Sequence, residues 1–219
     1  MLLTCWSMKG GVGTSLVVAG VAAAAMAAPD GAPLGVAVVD LCGDLPALYG
    51  IGPVESAGIA GWLRAGPQVP AGALRRLEVM TLGGIALVPR GVGEFAIERA
   101  PALADLLIAD ERTVVVDLGT HVGHPVGEAL LEAADRTVLV TRACPLAQHR
   151  LAHVQRVPDG VVVVRDHRRS LRWPEISEAA GAPVLAELDV DPAVGAAVDA
   201  GLDRHPLPRR FVAALAGVV

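Results

Sequence analysis

The sequence predicts an α/β fold with a mostly parallel central sheet. Three observations carry that reading. Short runs rich in Val, Leu, Ile and Ala recur along the chain, the pattern of strands buried on both faces. Segments of helical length lie between most of them, which is how parallel strands are joined. The first run also passes through a glycine-rich turn straight into a long apolar segment, the layout of strand, tight loop and buried helix.

"MLLTCW" at 1–6 is the first expected strand. "LVVAGVAAAAMAA" at 16–28 carries the first helix, expected near 14–28. With Lys9 upstream and "AMA" before Ala28-Pro29, it mimics a secretory signal. An apolar segment precedes that lysine, however, a glycine turn divides the two, and "GVAVVD" at 35–40 resumes the strand rhythm. The run is also too short to span a bilayer. Further strands are expected at "IALVP" 85–89, "TVVVD" 113–117, "TVLVT" 137–141, "VVVV" 161–164 and "PVLAEL" 183–188. "LEVMTL" at 77–82 pairs with 85–89 as a hairpin across Gly83-Gly84. Helices are expected near 94–109, 124–134, 145–156, 173–180, 191–200 and 206–216. Residues 51–75, with their Gly, Pro and Trp62, read as short helices and loops. No repeat, low-complexity tail or linker divides the chain, so 1–219 reads as a single domain.

Composition narrows the function classes. An apolar share of 53% against 19% charged residues describes a packed core and excludes disorder. With aromatics at 3%, that core is built from Val, Leu, Ala and Ile. A net charge of -5 gives no global attraction to nucleic acid or anionic lipid. Cys5, Cys42 and Cys144 are widely spaced and form no C-x-x-C pair, which disfavours a disulfide framework or zinc motif and fits a reducing cytoplasm. Cys42 and Cys144 follow strands but have no His nearby in sequence, so both read as ordinary thiols.

The chemistry-bearing stretch is "KGGVGTS", Lys9 to Ser15. It sits between the first strand and the first helix. Gly10, Gly11, Val12, Gly13, Thr14 and Ser15 therefore occupy a helix N-terminus, where free N–H groups and the helix dipole attract an anion. Glycines let the backbone approach a phosphate closely. Ser15 has the hydroxyl expected on Mg²⁺. The usual phosphate loop is G-x-x-x-x-G-K-[ST]; here Met8 takes the first Gly position and Thr14 the Lys position. Of 18 basic residues only Lys9 is Lys, so an Arg-rich chain has kept its one compact ammonium inside this loop.

"KGGVG" followed by two hydroxyl residues resembles the deviant Walker A loop of the ParA/MinD family, K-G-G-x-G-K-[ST]. "TVVVDLGT" resembles its Walker B strand, ending in Asp117, and "GVAVVDLCGDLPALYG" its second strand and switch I. "RTVLVTRACPLAQHR" and "PVLAELDVDPAVGAAVDAG" are similar to its later strands and helices, so the resemblance covers most of the chain. It implies a P-loop NTPase-like three-layer sandwich binding ATP and Mg²⁺. It implies metal contacts from Ser15, Asp40 and Asp117, a nucleotide-dependent homodimer, and a protein partner that this homodimer positions. Lys9 would reach across the dimer to the other subunit's phosphates. The loop, with "LVPRG" at 87–91 and "LVTRACPLA" at 139–147, also resembles the TadZ/CpaE-like branch, which helps position secretion and pilus machinery.

Two departures bear on turnover. Thr14 replaces the lysine that touches phosphates within its own subunit. Cys42 replaces the switch I aspartate that orients the attacking water, with Asp44 two residues on as a substitute. Positioning and electrostatics dominate phosphoryl transfer, so the expected activity is a weak or absent ATPase.

Other features read blandly. His121, His124, His149 and His153 find no third ligand at recognisable spacing and read as solvated or structural, with His121 near the nucleotide. "RDHRRSLR" at 165–172 reads as a solvated loop before DNA contact. "LPRRFVAALAGVV" at 207–219 reads as a docked helix before a membrane-targeting tail, and no stable membrane insertion is expected.

Overall fold

The computed structural model describes residues 1–28, 32–52, 58–66, 68–151, 154, 156–165 and 173–219. Eight strands form one sheet: β1 (Leu2–Trp6), β2 (Val36–Asp40), β3 (Val79–Met80), β4 (Ala86–Val88), β5 (Thr113–Gly119), β6 (Arg136–Arg142), β7 (Gly160–Arg165) and β8 (Val184–Asp189), in the order β3-β4-β2-β5-β1-β6-β7-β8. Every pairing is parallel except β3 with β4, the hairpin expected across Gly83-Gly84.

The helices cover both faces. On one lie α1 (Thr14–Ala27), α2 (Leu45–Tyr49), α8 (Pro192–Ala200) and α9 (Arg209–Ala214). On the other lie α3 (Gly58–Arg64), α4 (Ala100–Ile108), α5 (Pro125–Ala133), α6 (Pro145–Leu151) and α7 (Trp173–Ala180). The two-residue period of a strand divides the core accordingly. Leu3, Cys5, Val36 and Val38 face α1, while Leu2, Trp6, Ala37 and Val39 face the opposite layer. Ala, Val and Gly fill α1 all round, and most of it is buried, as a helix lying on a sheet beneath a second layer must be.

Some boundaries differ from expectation. The helix near 94–109 begins only at Ala100, with Pro101 in its first turn. Residues 94–99 stay irregular because Phe95 packs against His121 and His124 while Arg99 turns back to α3. There Arg99 donates to the Trp62 and Ala65 carbonyls at 2.6 Å and lies over the Trp62 ring, capping a helix end with a cation. The 206–216 helix starts after Pro208 and ends in a single 3-10 turn, with Phe211, Leu215 and Val218 buried; it docks on the body as expected. Of the helix expected at 145–156, the described part is α6. His153 and residues 166–172 of the basic cluster lie outside the described residues. The short α2 was not foreseen at all.

β1 is the hinge of the topology. The chain leaves it for β2 on one side, and β5 returns beside it before α5 crosses to β6 on the other. The loops after β1, β2 and β5 thus converge at the carboxyl ends of adjacent strands, the place where open α/β sheets bind ligands.

Candidate functional site

The loop after β1 is pinned where it leaves the strand. The Ser7 backbone N–H and hydroxyl both donate to the Gly119 carbonyl, at 2.7 and 3.2 Å. From α6, Arg150 donates to the Met8 carbonyl at 2.8 Å. Beyond these anchors Gly11 and Gly13 take φ of 73° and 99°, conformations that glycine adopts without strain. Val12 turns its side chain into the core, leaving its backbone to the loop. Gly13 stands at the N-cap of α1 without a side-chain cap, so the first amides of a 14-residue helix point outward with their dipole unopposed. A Cβ on Gly10 or Gly11 would meet nothing within 4 Å. The space above the loop is open.

Beneath the loop runs a row of acidic side chains. Asp40 and Asp117 are register partners across β2 and β5, and Cys5 pairs with Asp117 from β1. Both carboxylates are fully buried. Asp40 Oδ1 accepts the amides of Cys42 and Gly43, at 2.8 and 2.7 Å, and Oδ2 accepts that of Leu45 at 3.2 Å. This carboxylate folds the 41–45 loop and starts α2. Burial raises its pKa, and the three amides oppose that rise. Asp117 is pushed up to about 6, mainly by burial, with the Ser15 hydroxyl lowering it and the Asp40 charge raising it. Its Oδ1 accepts the Gly119 amide at 3.1 Å and the Cys42 thiol at 3.5 Å. Its Oδ2 has no hydrogen-bond partner of ordinary geometry among the described residues. A buried carboxylate oxygen left that way costs free energy unless something binds it.

Cys42 lies in the loop after β2, the segment whose sequence resembles switch I. It is no isolated thiol. Burial and then the Asp117 charge push its pKa well above the ordinary thiol value, so it stands protonated as a donor to Asp117. Gly119, at φ 52°, makes the room; a Cβ there would collide with Cys42 Sγ.

Over this row opens a cavity of about 580 Å³, within the range of small-molecule sites. Of the expected residues, Gly10, Gly11, Gly13, Thr14, Ser15, Cys42 and Asp44 line it. Asp44, at the N-cap of α2, is exposed at its mouth. Val12 and the two strand-end aspartates sit below the cavity wall. Lys9 lies outside it and donates to the Gly10 carbonyl at 3.1 Å. Among the described residues, neither Lys nor Arg lines the cavity. His121 does line it, with its pKa lowered by burial and then by Arg90 and His124. His124 instead caps α5, its Nδ1 accepting the Val126 amide at 3.2 Å. A smaller cavity of about 300 Å³ adjoins through Gly13, Leu16 and Val198 and is walled by Val164, Leu188 and Val194. Sequence reasoning missed Ser7, Thr120 and the α2 wall of Ala47 and Leu48; no motif spacing marks them. It also gave Asp40 no role in folding the switch loop.

No family model matches this chain, and no curated protein matches it in sequence. Solved structures do match its fold. A ParA family ATPase from Chlorobium tepidum TLS superposes with a TM-score of 0.79 at 20% identity, covering 100% of this chain and 98% of that one. The septum site-determining protein MinD from Pyrococcus horikoshii OT3, complexed with Mg-ADP, gives 0.75 at 17% identity, covering 99% and 93%. MinD in the MinC:MinD cell division complex of Aquifex aeolicus gives 0.72 at 17%, covering 98% and 94%. The eight-stranded, mostly parallel architecture is the P-loop fold of ParA and MinD proteins.

Proposed function

We propose that this chain, built on the ParA/MinD fold, is an ATP- and Mg²⁺-binding spatial switch or scaffold. Residues 1–219 act as one nucleotide-binding domain. The observation that carries the reading is the open glycine cradle of Gly10 to Ser15 facing Asp117, whose Oδ2 is buried without a hydrogen bond. Phosphates would lie on the loop amides at the N-terminus of α1. Ser15 and Asp117 would hold Mg²⁺, with Asp40 behind them fixing the switch loop. Bound Mg²⁺ would supply positive charge against the phosphates and against the two carboxylates. The adjoining apolar cavity suits the base.

The cavity itself offers a polyphosphate no basic side chain from its own protomer. Thr14 is neutral, and Lys9 is turned onto its own loop. A second protomer contributing its Lys9 would supply the missing charge, which ties tight binding to dimer formation. Hydrolysis would be weak or absent, because Cys42 donates to Asp117 where a water-orienting carboxylate is needed. MinD in complex with MinC is a structural relative; a protein partner is proposed here too, in pilus or secretion, division or partitioning machinery. The TadZ/CpaE-like branch of the family is the proposed affiliation, and the cytoplasm the proposed site of action. No helix among the described residues is long and apolar enough to cross a membrane.

The test is a titration of a fluorescent ATP analogue with Mg²⁺ on wild type and Lys9→Ala, with mass followed by light scattering. Saturable binding with a shift to dimer, lost in Lys9→Ala, is expected. Absence of binding up to millimolar nucleotide would remove the switch and leave a nucleotide-free scaffold. A second reading, an active partitioning or septum-site ATPase, draws support from Asp44 at the cavity mouth. Phosphate release in the same samples decides it: multiple turnovers abolished by Asp44→Ala would favour the ATPase.

A further inference from the structure

We propose that Asp40, Cys42 and Asp117 form a site for a thiophilic divalent cation of the zinc class, filled without nucleotide. One ligand atom from each of the three lies within 4.8 Å of the other two. Cys42 Sγ stands 3.5 Å from Asp117 Oδ1. In a tetrahedral zinc centre with Zn–S of about 2.3 Å and Zn–O of about 2.0 Å, the sulfur-to-oxygen edge is about 3.5 Å. The thiol and carboxylate, now joined by a hydrogen bond, thus stand at a separation compatible with a shared cation, which would take the place of the thiol proton between Sγ and Oδ1.

The donor count also fits. A carboxylate has about four lone-pair positions. Asp40 uses three of them on backbone amides, leaving one on Oδ2. Asp117 Oδ2, on a fully buried side chain, makes no hydrogen bond of ordinary geometry, with only the Ser15 hydroxyl acting on that carboxylate from the loop above; this points to a missing ligand independently of the clustering. Among the described residues no basic side chain forms an ion pair with either carboxylate. Two strands fix the carboxylates in register, and the loop amides that donate to Asp40 fix the segment that carries the thiol. The ligands are therefore held in place before any metal arrives. Cys42 also lines the main cavity, so the fourth coordination position opens toward solvent and a water can fill it.

Binding forms a metal–sulfur bond and releases the thiol proton to solvent, with no change of oxidation state. A thiolate selects zinc or cobalt over Mg²⁺, which prefers oxygen ligands. The sequence disguises this site because its three donors come from two strands and a loop and show no ligand spacing. It shares Asp117 with the Mg²⁺ proposed for the nucleotide, and differs from it in taking the Cys42 thiolate in place of Ser15 and in needing no phosphate. With zinc in place, Cys42 would be clamped to Asp117 and the switch loop held closed over the strand ends.

The test uses cobalt as a spectroscopic stand-in, titrated into the full chain without nucleotide. A near-ultraviolet thiolate-to-cobalt charge-transfer band, saturating at equimolar metal, is expected. It should be lost in Cys42→Ser, retained in Cys144→Ser, displaced by Zn²⁺ and undisturbed by excess Mg²⁺. Zinc affinity read by competition should fall by about tenfold or more in Cys42→Ser. Far-ultraviolet circular dichroism checks that each variant folds; Asp117→Asn, which keeps the thiol, carries the same decision should Cys42→Ser not fold. No band, a band that survives Cys42→Ser, or displacement by Mg²⁺ would overturn the proposal. Failure of the nucleotide titration would leave this result standing, because no nucleotide is present.

Discussion

Thr14 shows how one residue reweights a binding site. It opens α1, is buried to 7% exposure and faces the cavity, where the ParA/MinD-type loop that the sequence resembles has a lysine. A hydrogen bond to a charged group contributes about 1.5–3 kcal/mol. Thr14→Lys is therefore expected to tighten the fluorescent ATP analogue by roughly ten- to a hundredfold, read as a lower dissociation constant; an unchanged constant would mean that the loop backbone already dominates. The loop residues were legible because their chemistry is local: glycines for positive φ, a hydroxyl at the helix start, one lysine in an Arg-rich chain. Asp40 was legible only as a charge. Its main contacts are amides two to five residues downstream, and no composition rule says whether a strand-end aspartate looks outward or folds its own loop. The contact of Cys42 was missed for a related reason, although its reading as an unreactive thiol agrees with its raised pKa. Its partner Asp117 is 75 positions away, and such pairings follow from sheet order.

Elements were read best where periodicity is strong. All seven strands expected in sequence, and the hairpin with its short partner, appear within a few residues of their predicted places. Boundaries failed where tertiary contacts overrode local preference, as at 94–99, where Phe95 and Arg99 are engaged elsewhere. α2 escaped notice because five residues show no period; its existence rests on Asp40 below it and on amides of residues 202 and 203 that bond to the Leu48 and Tyr49 carbonyls. α5 offers an element-scale test. Gly127 lies against the backbone of the cavity loop, where a Cβ would collide with the His121 carbonyl oxygen. Gly127→Ala gains about 1 kcal/mol in helix propensity but forces that loop or helix aside, at about 1–3 kcal/mol for overpacking. A lower thermal midpoint is expected, with weaker binding of the ATP analogue because His121 and Thr120 move with the loop. A higher midpoint would show that the helix can shift freely.

Across the whole molecule, the sheet order was not readable from periodicity. A run such as "TVVVD" declares a buried strand without saying that β5 lies between β1 and β2; only the family resemblance implied that. Stability far from the cavity depends on ion pairs that sequence also hides. Arg112, just before β5, donates to Glu78 at 2.6 Å and to Asp110 at 2.7 Å, tying the strand's entry to the turn before β3. Hydrogen bonds from Arg112 hold the Asp110 carboxyl below its ordinary range. A depressed carboxylate pKa adds stability above the unfolded-state pKa and loses it as pH falls through the folded value. Urea unfolding is thus expected to show stability declining on the acid side, and Asp110→Asn should flatten that decline while lowering stability at neutral pH. An unaltered acid limb would place the acid sensitivity elsewhere.

The solitary lysine has a practical consequence. Because Lys9 is the only Lys among 18 basic residues, a lysine-specific protease has one peptide bond to cut, between Lys9 and Gly10. An acylating reagent likewise finds a single ε-amine. Digestion and acylation kinetics thereby become a gauge of this one loop: whatever closes over it protects the entire chain from the protease, and acetylation there would act as an all-or-none mark on the molecule.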